Sequence, residues 1–306
     1  MVSTLAVLLY IPWFQPEPFE IPTPWGTPIY VHVFGLLVAT GVVSGAYLAR
    51  WKAERDGLHP ETVMNLAGWV LVPGFVCAHL FDDIFYRPEL VAENPFHLLM
   101  IWDGISSFGG FFGATAGALA WTWHRKLPGL AFADPCAFGF PLGWLFGRTG
   151  CFTVHDHPGR VTTFFLGVED YEVGYPPYQV RHDLGLYEVF WSLAVVALFF
   201  FLARKQRPRG FYLALLPILY APVRFGLDFL RATDFEHADA RYLGLTPGHY
   251  SAIALLALGL FTAWRVSRNP WPEIRMDARW PEPTEPEVVQ DEARSDESSK
   301  DERPGD

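Results

Sequence analysis

Charge is what this chain has least of. Only 18% of its 306 residues are Asp, Glu, Lys or Arg, against 51% hydrophobic and 16% aromatic, a balance that excludes an ordinary soluble surface over most of the length. The scarcity is uneven. Residues 1–28 contain no lysine or arginine; 12 of the 33 acids and 5 of the 23 bases fall in residues 270–306, leaving 21 acids and 18 bases for residues 1–269. The formal net charge of −10 therefore belongs mainly to the last segment and says nothing about a substrate, and no nucleic-acid partner is expected. Cysteine is also scarce. Cys77, Cys136 and Cys151 are an odd number placed in or beside apolar runs, which excludes a disulfide framework. Repeats of solenoid length are absent.

What is present is a series of apolar runs, each long enough to cross about 30 Å of hydrocarbon. They lie near Ile29–Leu48, Leu66–Ile84, Ile105–Trp123, Ala131–Phe146, Leu186–Leu202, Phe211–Leu227 and His249–Trp264. Backbone groups in lipid must satisfy one another, so the expected fold class is all-α, a polytopic membrane protein of about seven helices. The basic clusters Arg50/Lys52/Arg55, Arg125/Lys126, Arg204/Lys205/Arg207/Arg209 and Arg265/Arg268 follow the odd-numbered runs. That bias puts the N-terminus outside and the C-terminus in the cytoplasm, although Arg148, Arg160, Arg181, Arg231 and Arg241 fall on the outer side. The expected organisation is an outer N-terminal segment (1–28), a membrane domain (29–269) with a small outer head at about 152–185, and a disordered, acidic cytoplasmic tail (270–306). Residues 1–14 lack the basic start and small-residue cleavage site of a signal peptide and are expected to form a short helix on the outer surface. "GGFFGATAG" spaces Gly109, Gly113 and Gly117 four apart, a pattern for close helix packing.

Polar exceptions to this pattern carry the functional reading. Arg148 ends the fourth run, and "RFGLDFLR" places Arg224 inside the sixth with Asp228 and Arg231 at i+4 and i+7, the spacing of one helix face. An unpaired cation in a bilayer costs about 2.5–3.5 kcal/mol even on the insertion scale. Asp228 balances one arginine only, so surplus positive charge facing outward suits an anion, and guanidinium forks match phosphate oxygens. A phospholipid head group is the first candidate at that depth. The alternative is a structural Arg224–Asp228 pair, with Arg148 and Arg231 reaching to the surface.

Three stretches stand in order at run boundaries: "GRTGCF" (147–152) followed by Gly159-Arg160, "RHDLGLYE" (181–188), and "RFGLDFLR" (224–231). With them the chain resembles the bacterial prolipoprotein diacylglyceryl transferases, which move diacylglycerol from phosphatidylglycerol to the lipobox cysteine of a prolipoprotein. The resemblance covers most of residues 29–265. It implies an enzyme of the bacterial inner membrane with seven spans and an outer N-terminus. It also implies phosphatidylglycerol and a prolipoprotein lipobox segment as partners, no cofactor, no metal, and action as a monomer. Substrate-binding positions carried over are Arg148, Arg224, Arg231, Asp228, Tyr187, Glu188, Cys151, Gly159, Phe108, Gly109 and Gly110. Asp156 matches a family acid. The chain also departs from the family. Phe108 stands where the family has the histidine of His-Gly-Gly, Cys151 where it has asparagine, and Phe34-Gly35 where it has Tyr-Gly.

The reaction needs a group to take the proton of a thiol and fixed positive charge for the departing glycerol phosphate. Arg148 and Arg224 suit the second task. Phe108 has no titratable atom, so the first falls to His155 or His157, oriented by Asp156, unless these form an exposed polar turn before Pro158-Gly159. His-x-His with Asp156 also has the makings of a metal site, but no second cluster completes it and none is expected. Cys151 reads as a small pocket residue or a reactive thiol; Tyr187 and Glu188 read as braces of the arginine site, with packing an equal option for Tyr187. Two other functions stay open, a paralogue that binds anionic phospholipid or prolipoprotein without transfer, and a lipid or small-solute transporter.

Overall fold

The computed structural model describes residues 10–24, 26, 28–100, 104–127, 129–170, 179–234 and 241–268. The expected tail at 270–306, residues 1–9, residues 171–178 of the expected head and the side chain of Phe108 lie outside the described residues.

Most of the chain is helical. A short hairpin, β1 (Phe19–Ile21) and β2 (Ile29–Val31), leads into α1 (Val33–Arg55), which is followed by α2 (Pro60–Phe81) and the small α3 (Pro88–Glu93). Then come α4 (Ser107–Arg125) and α5 (Gly129–Val154), a sheet of β3 (Pro158–Val161), β4 (Val168–Asp170) and β5 (Gln179–Asp183), and finally α6 (Leu184–Leu202), α7 (Phe211–Asp228) and α8 (Pro247–Arg268). Proline opens α2 and α8, where the missing N–H has no helical partner to lose. The Asp183 side chain caps α6 by accepting from Leu186 N at 2.9 Å. Five of these segments are long and apolar enough to cross a membrane: Val33–Arg55, Pro60–Phe85, Leu184–Leu202, Phe211–Asp228 and Pro247–Arg268. Large apolar side chains such as Phe111, Leu193, Phe201 and Trp123, the last 84% exposed, point away from the bundle, as in a multi-pass membrane protein.

Packing is closest where side chains are smallest. The helices α1 and α5 meet over Gly41 and Gly45 on one and Gly139 and Gly143 on the other, and α2 meets α4 along the glycine row. A Cβ at Gly109, Gly113 or Gly117 would run into the carbonyls of Cys77, Pro73 and Trp69 respectively, so the four-residue spacing is a seam for close backbone approach. The two buried apolar clusters, one around Trp121 and Phe132 and the other around Phe138, Phe199 and Tyr212, both lie where α1, α4 and α6 finish and α5 and α7 begin.

The sheet joins α5 to α6 and has the order β3-β5-β4, antiparallel throughout. Residues 10–14 are not the helix expected from their apolar character. Ile11 N donates to Gly167 O at 3.0 Å and Ile11 O accepts from Glu169 N at 2.9 Å, so this segment runs extended beside β4. The open edge of β4 supplies backbone partners that a lone short helix would lack.

Candidate active site

The site forms at the end of the bundle where α5 and α7 finish and α6 begins. Glu188, on the second turn of α6 and fully buried, is its centre. Its Oε2 accepts from Trp144 Nε1 at 2.9 Å and Tyr220 OH at 3.1 Å and is ion-paired with Arg148, whose Nε is 2.9 Å away, while Oε1 stands 3.7 Å from Arg224 Nη1. Arg224 Nη2 also pairs with Asp228 Oδ1 at 2.9 Å. Asp228 is in turn buried against the first turn of α8: Thr246 Oγ1 donates to its Oδ2, and His249 Nδ1 lies 3.2 Å away. Gly248 allows this approach, since a Cβ there would sit 2.8 Å from Asp228 Oδ2. A carboxylate at that position also complements the α8 N-terminus.

Trp144 and Tyr220 each stand four residues before the arginine they accompany, one helical turn away on the same face. The Arg148 guanidinium stacks over the Trp144 ring, 4.5 Å from its centroid. The i−4 aromatic in both helices was a signal available in the sequence and is absent from the motif reading. Two arginines face two carboxylates, so the surplus positive charge expected from Asp228 alone does not arise here; Glu188 supplies the second negative charge.

Arg148 also faces outward from this network. Its Nη1 lies 3.1 Å from His157 Nε2 and 3.8 Å from Cys151 Sγ. His157 Nδ1 lies 2.5 Å from Asp156 Oδ1, which fixes the tautomer by hydrogen-bond logic. Nδ1–H donates to the carboxylate, and Nε2 is the acceptor presented to Arg148. Arg148, Cys151, Asp156 and His157 border a cavity of about 1050 Å³, at the upper edge of ordinary small-molecule pockets, roughly 300–1000 Å³. Its remaining wall is nearly all apolar and follows α1 from Phe34 to Ala49, with α2, α4 and α5 opposite. From Phe34 to Ala49 that helix rises about 22 Å. Polar groups gather at one end of a long apolar slot.

Other expected site residues are placed elsewhere. Arg224 meets Glu188 but is not part of the cavity wall. His155 is buried, with Nδ1 2.7 Å from Asp183 Oδ2, Nε2 3.1 Å from Phe14 O, and its ring stacked on Trp13 at 4.0 Å. Its φ of 48° turns the chain out of α5 and separates its direction from that of His157. Tyr187 is one position, about 100° of helix, from Glu188, and its hydroxyl lies 2.7 Å from His182 Nδ1, facing the sheet. Arg231 does not share the face of Arg224 and Asp228, because α7 ends at Asp228 in a tightened turn. It is bridged instead to Gly159, where a Cβ would meet Leu230 O at 2.8 Å and His182 Cβ at 2.6 Å. Gly109 and Gly110 belong to the α2–α4 seam.

Cys151, Asp156 and His157 bring a sulfur, an oxygen and a nitrogen within 4.8 Å of one another, so this corner has the donors for a cation. Arg148 beside them opposes one. On the sheet, Arg181 forks onto Asp234, Nη1 to Oδ1 at 3.1 Å and Nη2 to Oδ2 at 2.6 Å, and holds the Asp234 carboxyl below its ordinary pKa. Burial lowers the pKa of His182.

Apolar helices around a long slot with a braced arginine at its head are the architecture of a multi-pass membrane protein. The chain belongs to the prolipoprotein diacylglyceryl transferase family, whose model matches residues 23–265. It is 29% identical over 257 residues to the phosphatidylglycerol–prolipoprotein diacylglyceryl transferase of Chromohalobacter salexigens, covering 82% of this chain and 94% of that one. It is 28% identical over 251 residues to the protein of that name from Acinetobacter baumannii, covering 78% and 89%, and 27% identical over 259 residues to that of a Janthinobacterium species, covering 81% and 95%.

Proposed function

We propose that this chain transfers the diacylglyceryl group of phosphatidylglycerol to the lipobox cysteine thiol of a prolipoprotein, the first step of bacterial lipoprotein maturation. In this reading it works as a monomer in the inner membrane, with seven spans, an outer N-terminus and the small sheet as an outer head over the site. The acyl chains occupy the apolar slot, and the phosphate lies against Arg148. One observation carries the reading: Arg148, held in place by Glu188 and Trp144, stands at the mouth of that slot within hydrogen-bond reach of His157.

The reaction forms a bond from sulfur to the glycerol carbon that carried phosphate and breaks that carbon's bond to the phosphate oxygen. Glycerol phosphate leaves with the electron pair. Arg148 stabilises the charge that grows on that oxygen, and its fixed position means it need not reorganise as the bond breaks. Asp156 orients His157, whose Nε2 accepts the thiol proton once the phosphate replaces it as the acceptor for Arg148 Nη1. Arg224 acts through Glu188 as a positioning residue. Cys151 is a small wall residue of the pocket, and Arg231 and Gly159 tie the sheet to the end of α7.

The test is thioether formation by the purified protein on a lipobox peptide in phosphatidylglycerol vesicles. Arg148→Ala is expected to abolish transfer while the protein remains inserted, and Arg224→Ala to reduce it severely. Full transfer by Arg148→Ala would refute the phosphate role. Phe108 and Cys151, at the family's histidine and asparagine positions, favour a second reading in which the chain binds phosphatidylglycerol or prolipoprotein without chemistry. Stoichiometric binding with no thioether would select it.

A further inference from the structure

At the end of α2, three ligand-type side chains meet in a buried cluster that the transfer reaction does not use. His79 and Asp83 are four residues apart, the first on α2 and the second in the π-turn Asp82–Tyr86, and His97 comes from the 3₁₀ turn Pro95–Leu99. His79 and Asp83 are fully buried and His97 nearly so. We propose that His79 Nε2, Asp83 Oδ2 and His97 Nδ1 bind one divalent cation of the zinc class, which fixes the loop between α2 and α4.

Both ring nitrogens of His79 face oxygen atoms. Nδ1 lies 3.2 Å from Gly104 O and Nε2 3.1 Å from His97 O, both pure acceptors, and a neutral imidazole has one proton for the two. With that proton on Nδ1, Nε2 turns a lone pair toward His97 O and, at 3.3 Å, Asp83 Oδ2. In a fully buried site, lone pair against carbonyl and carboxylate is unfavourable, and a cation between them reverses the sign of every contact. The spacing fits. Ligands held about 2.0–2.2 Å from one ion at right or tetrahedral angles are roughly 2.9–3.5 Å apart. The 3.3 Å between His79 Nε2 and Asp83 Oδ2 falls within that range, and His97 Nδ1, which hydrogen-bonds Asp83 Oδ2 at 2.7 Å, joins them by giving up its proton and moving out a few tenths of an ångström.

The surrounding groups are those expected around such a centre. A metal-bound imidazole ordinarily donates its other N–H to a carbonyl or carboxylate, as His79 does to Gly104. The second oxygen of Asp83 accepts from Arg87 Nη2 at 3.1 Å, and Arg87 also meets Asp82 at 2.6 Å. Among the described residues Arg87 is shared by two carboxylates, which favours a further cation at Asp83. Two imidazoles and a carboxylate suit zinc better than calcium or magnesium.

Such an ion has a defined structural effect. It joins the end of α2 to the turn carrying His97 and, through Gly104, to the entry of α4; Ser106 N donating to Ala78 O at 2.9 Å fixes the same corner. Ile105, between these two anchors, forms part of the wall of the apolar slot. The cation would therefore set one lip of the cavity without touching the reacting atoms.

The experiment is metal content of the full-length protein in lipid nanodiscs, stripped with chelator, loaded with Zn²⁺, dialysed and measured by mass spectrometry. Roughly one ion per chain is expected in the wild type and in His157→Gln, which disables the Cys151–Asp156–His157 corner. Its loss is expected in His79→Gln and in His97→Gln, with affinity reduced at least about 10-fold in Asp83→Asn. Limited proteolysis between residues 87 and 106 should slow when Zn²⁺ is returned to the stripped wild type, a readout that needs no variant to fold. The proposal fails if the wild type retains no stoichiometric zinc, which would make His79 a buried imidazolium paired with Asp83. It fails equally if zinc is lost only in His157→Gln.

Discussion

Charge is buried at both ends of this bundle, with different outcomes. Where α1 finishes and α5 and α7 begin, Lys52 pairs with Asp56 beneath Tyr212 and Phe138, whose ring centroids lie 5.0 and 5.7 Å from Nζ. Asp134 nearby accepts from Leu213 N at 2.8 Å, at the start of α7. Those groups are enclosed by the apolar clusters and border no part of the slot. At the opposite end the Arg148, Glu188 and Arg224 network has similar content, but one of its members faces the cavity. Burial of an ion therefore does not by itself mark chemistry. What separates the two ends is whether a charged atom borders open volume.

Substitution can break that contrast. Arg148→Ala should lower transfer by about 10²–10³-fold or more, whereas Lys52→Met should leave the rate per folded molecule unchanged while Tm falls, since breaking a buried pair costs about 3–5 kcal/mol. Thioether yield and thermal denaturation of the same two variants would separate the ends, and equal loss of activity would erase the distinction. A step smaller, His157→Gln should reduce kcat about 10²-fold with little change in KM for phosphatidylglycerol. His155→Gln should act on Tm and leave kcat intact, because both ring nitrogens of His155 are already occupied.

The aromatic donors sharpen the comparison further. Trp144→Phe and Tyr220→Phe each remove one hydrogen bond to a charged oxygen, worth about 1.5–3 kcal/mol. The double variant should be less destabilised than the sum, since both donors serve the same Glu188 atom. The smallest effects belong to pH. His182 has a folded pKa below its ordinary value of about 6.5, so the fold binds its proton less readily than the unfolded chain. Its contribution to stability is complete above that ordinary value and is lost as pH falls through the lower folded one. Asp234 follows the same sign at more acid pH, its carboxyl held down by Arg181, but it is half-exposed and its contribution is slight. Tm of the wild type should therefore fall between pH 7.5 and 5, and the His182→Gln variant should show a flatter profile.

Much of this was legible from residue order alone. Long apolar runs specify helices because lipid leaves the backbone no other partner, and the glycine row of α4 foretold the α2–α4 seam. Arg148 and Arg224 were singled out as departures from apolar surroundings and Glu188 through the family resemblance, and both arginines meet Glu188. The failures have local causes. Arg231 followed a helical count past the residue where α7 stops. Tyr187 was left between bracing the arginine site with Glu188 and plain packing, and one helical step turns it to the sheet. His155 and His157 could not be told apart, because a positive φ at His155 decides which of them faces the cavity. The partners of His155 come from residues 14 and 183, too far along the chain for a motif to reveal.

The small sheet has a consequence for biogenesis. Its edges are completed by residue 11 on one side and by the Gly159–Arg231 bridge on the other, with Arg160 N donating to Leu230 O at 2.8 Å. During translation the first half of the bundle is made well before residue 231 leaves the ribosome, so a nascent chain arrested earlier has its strands registered on one flank only. Competence is thus deferred until the penultimate helix is in place, and a truncated translation product would be inserted yet inert.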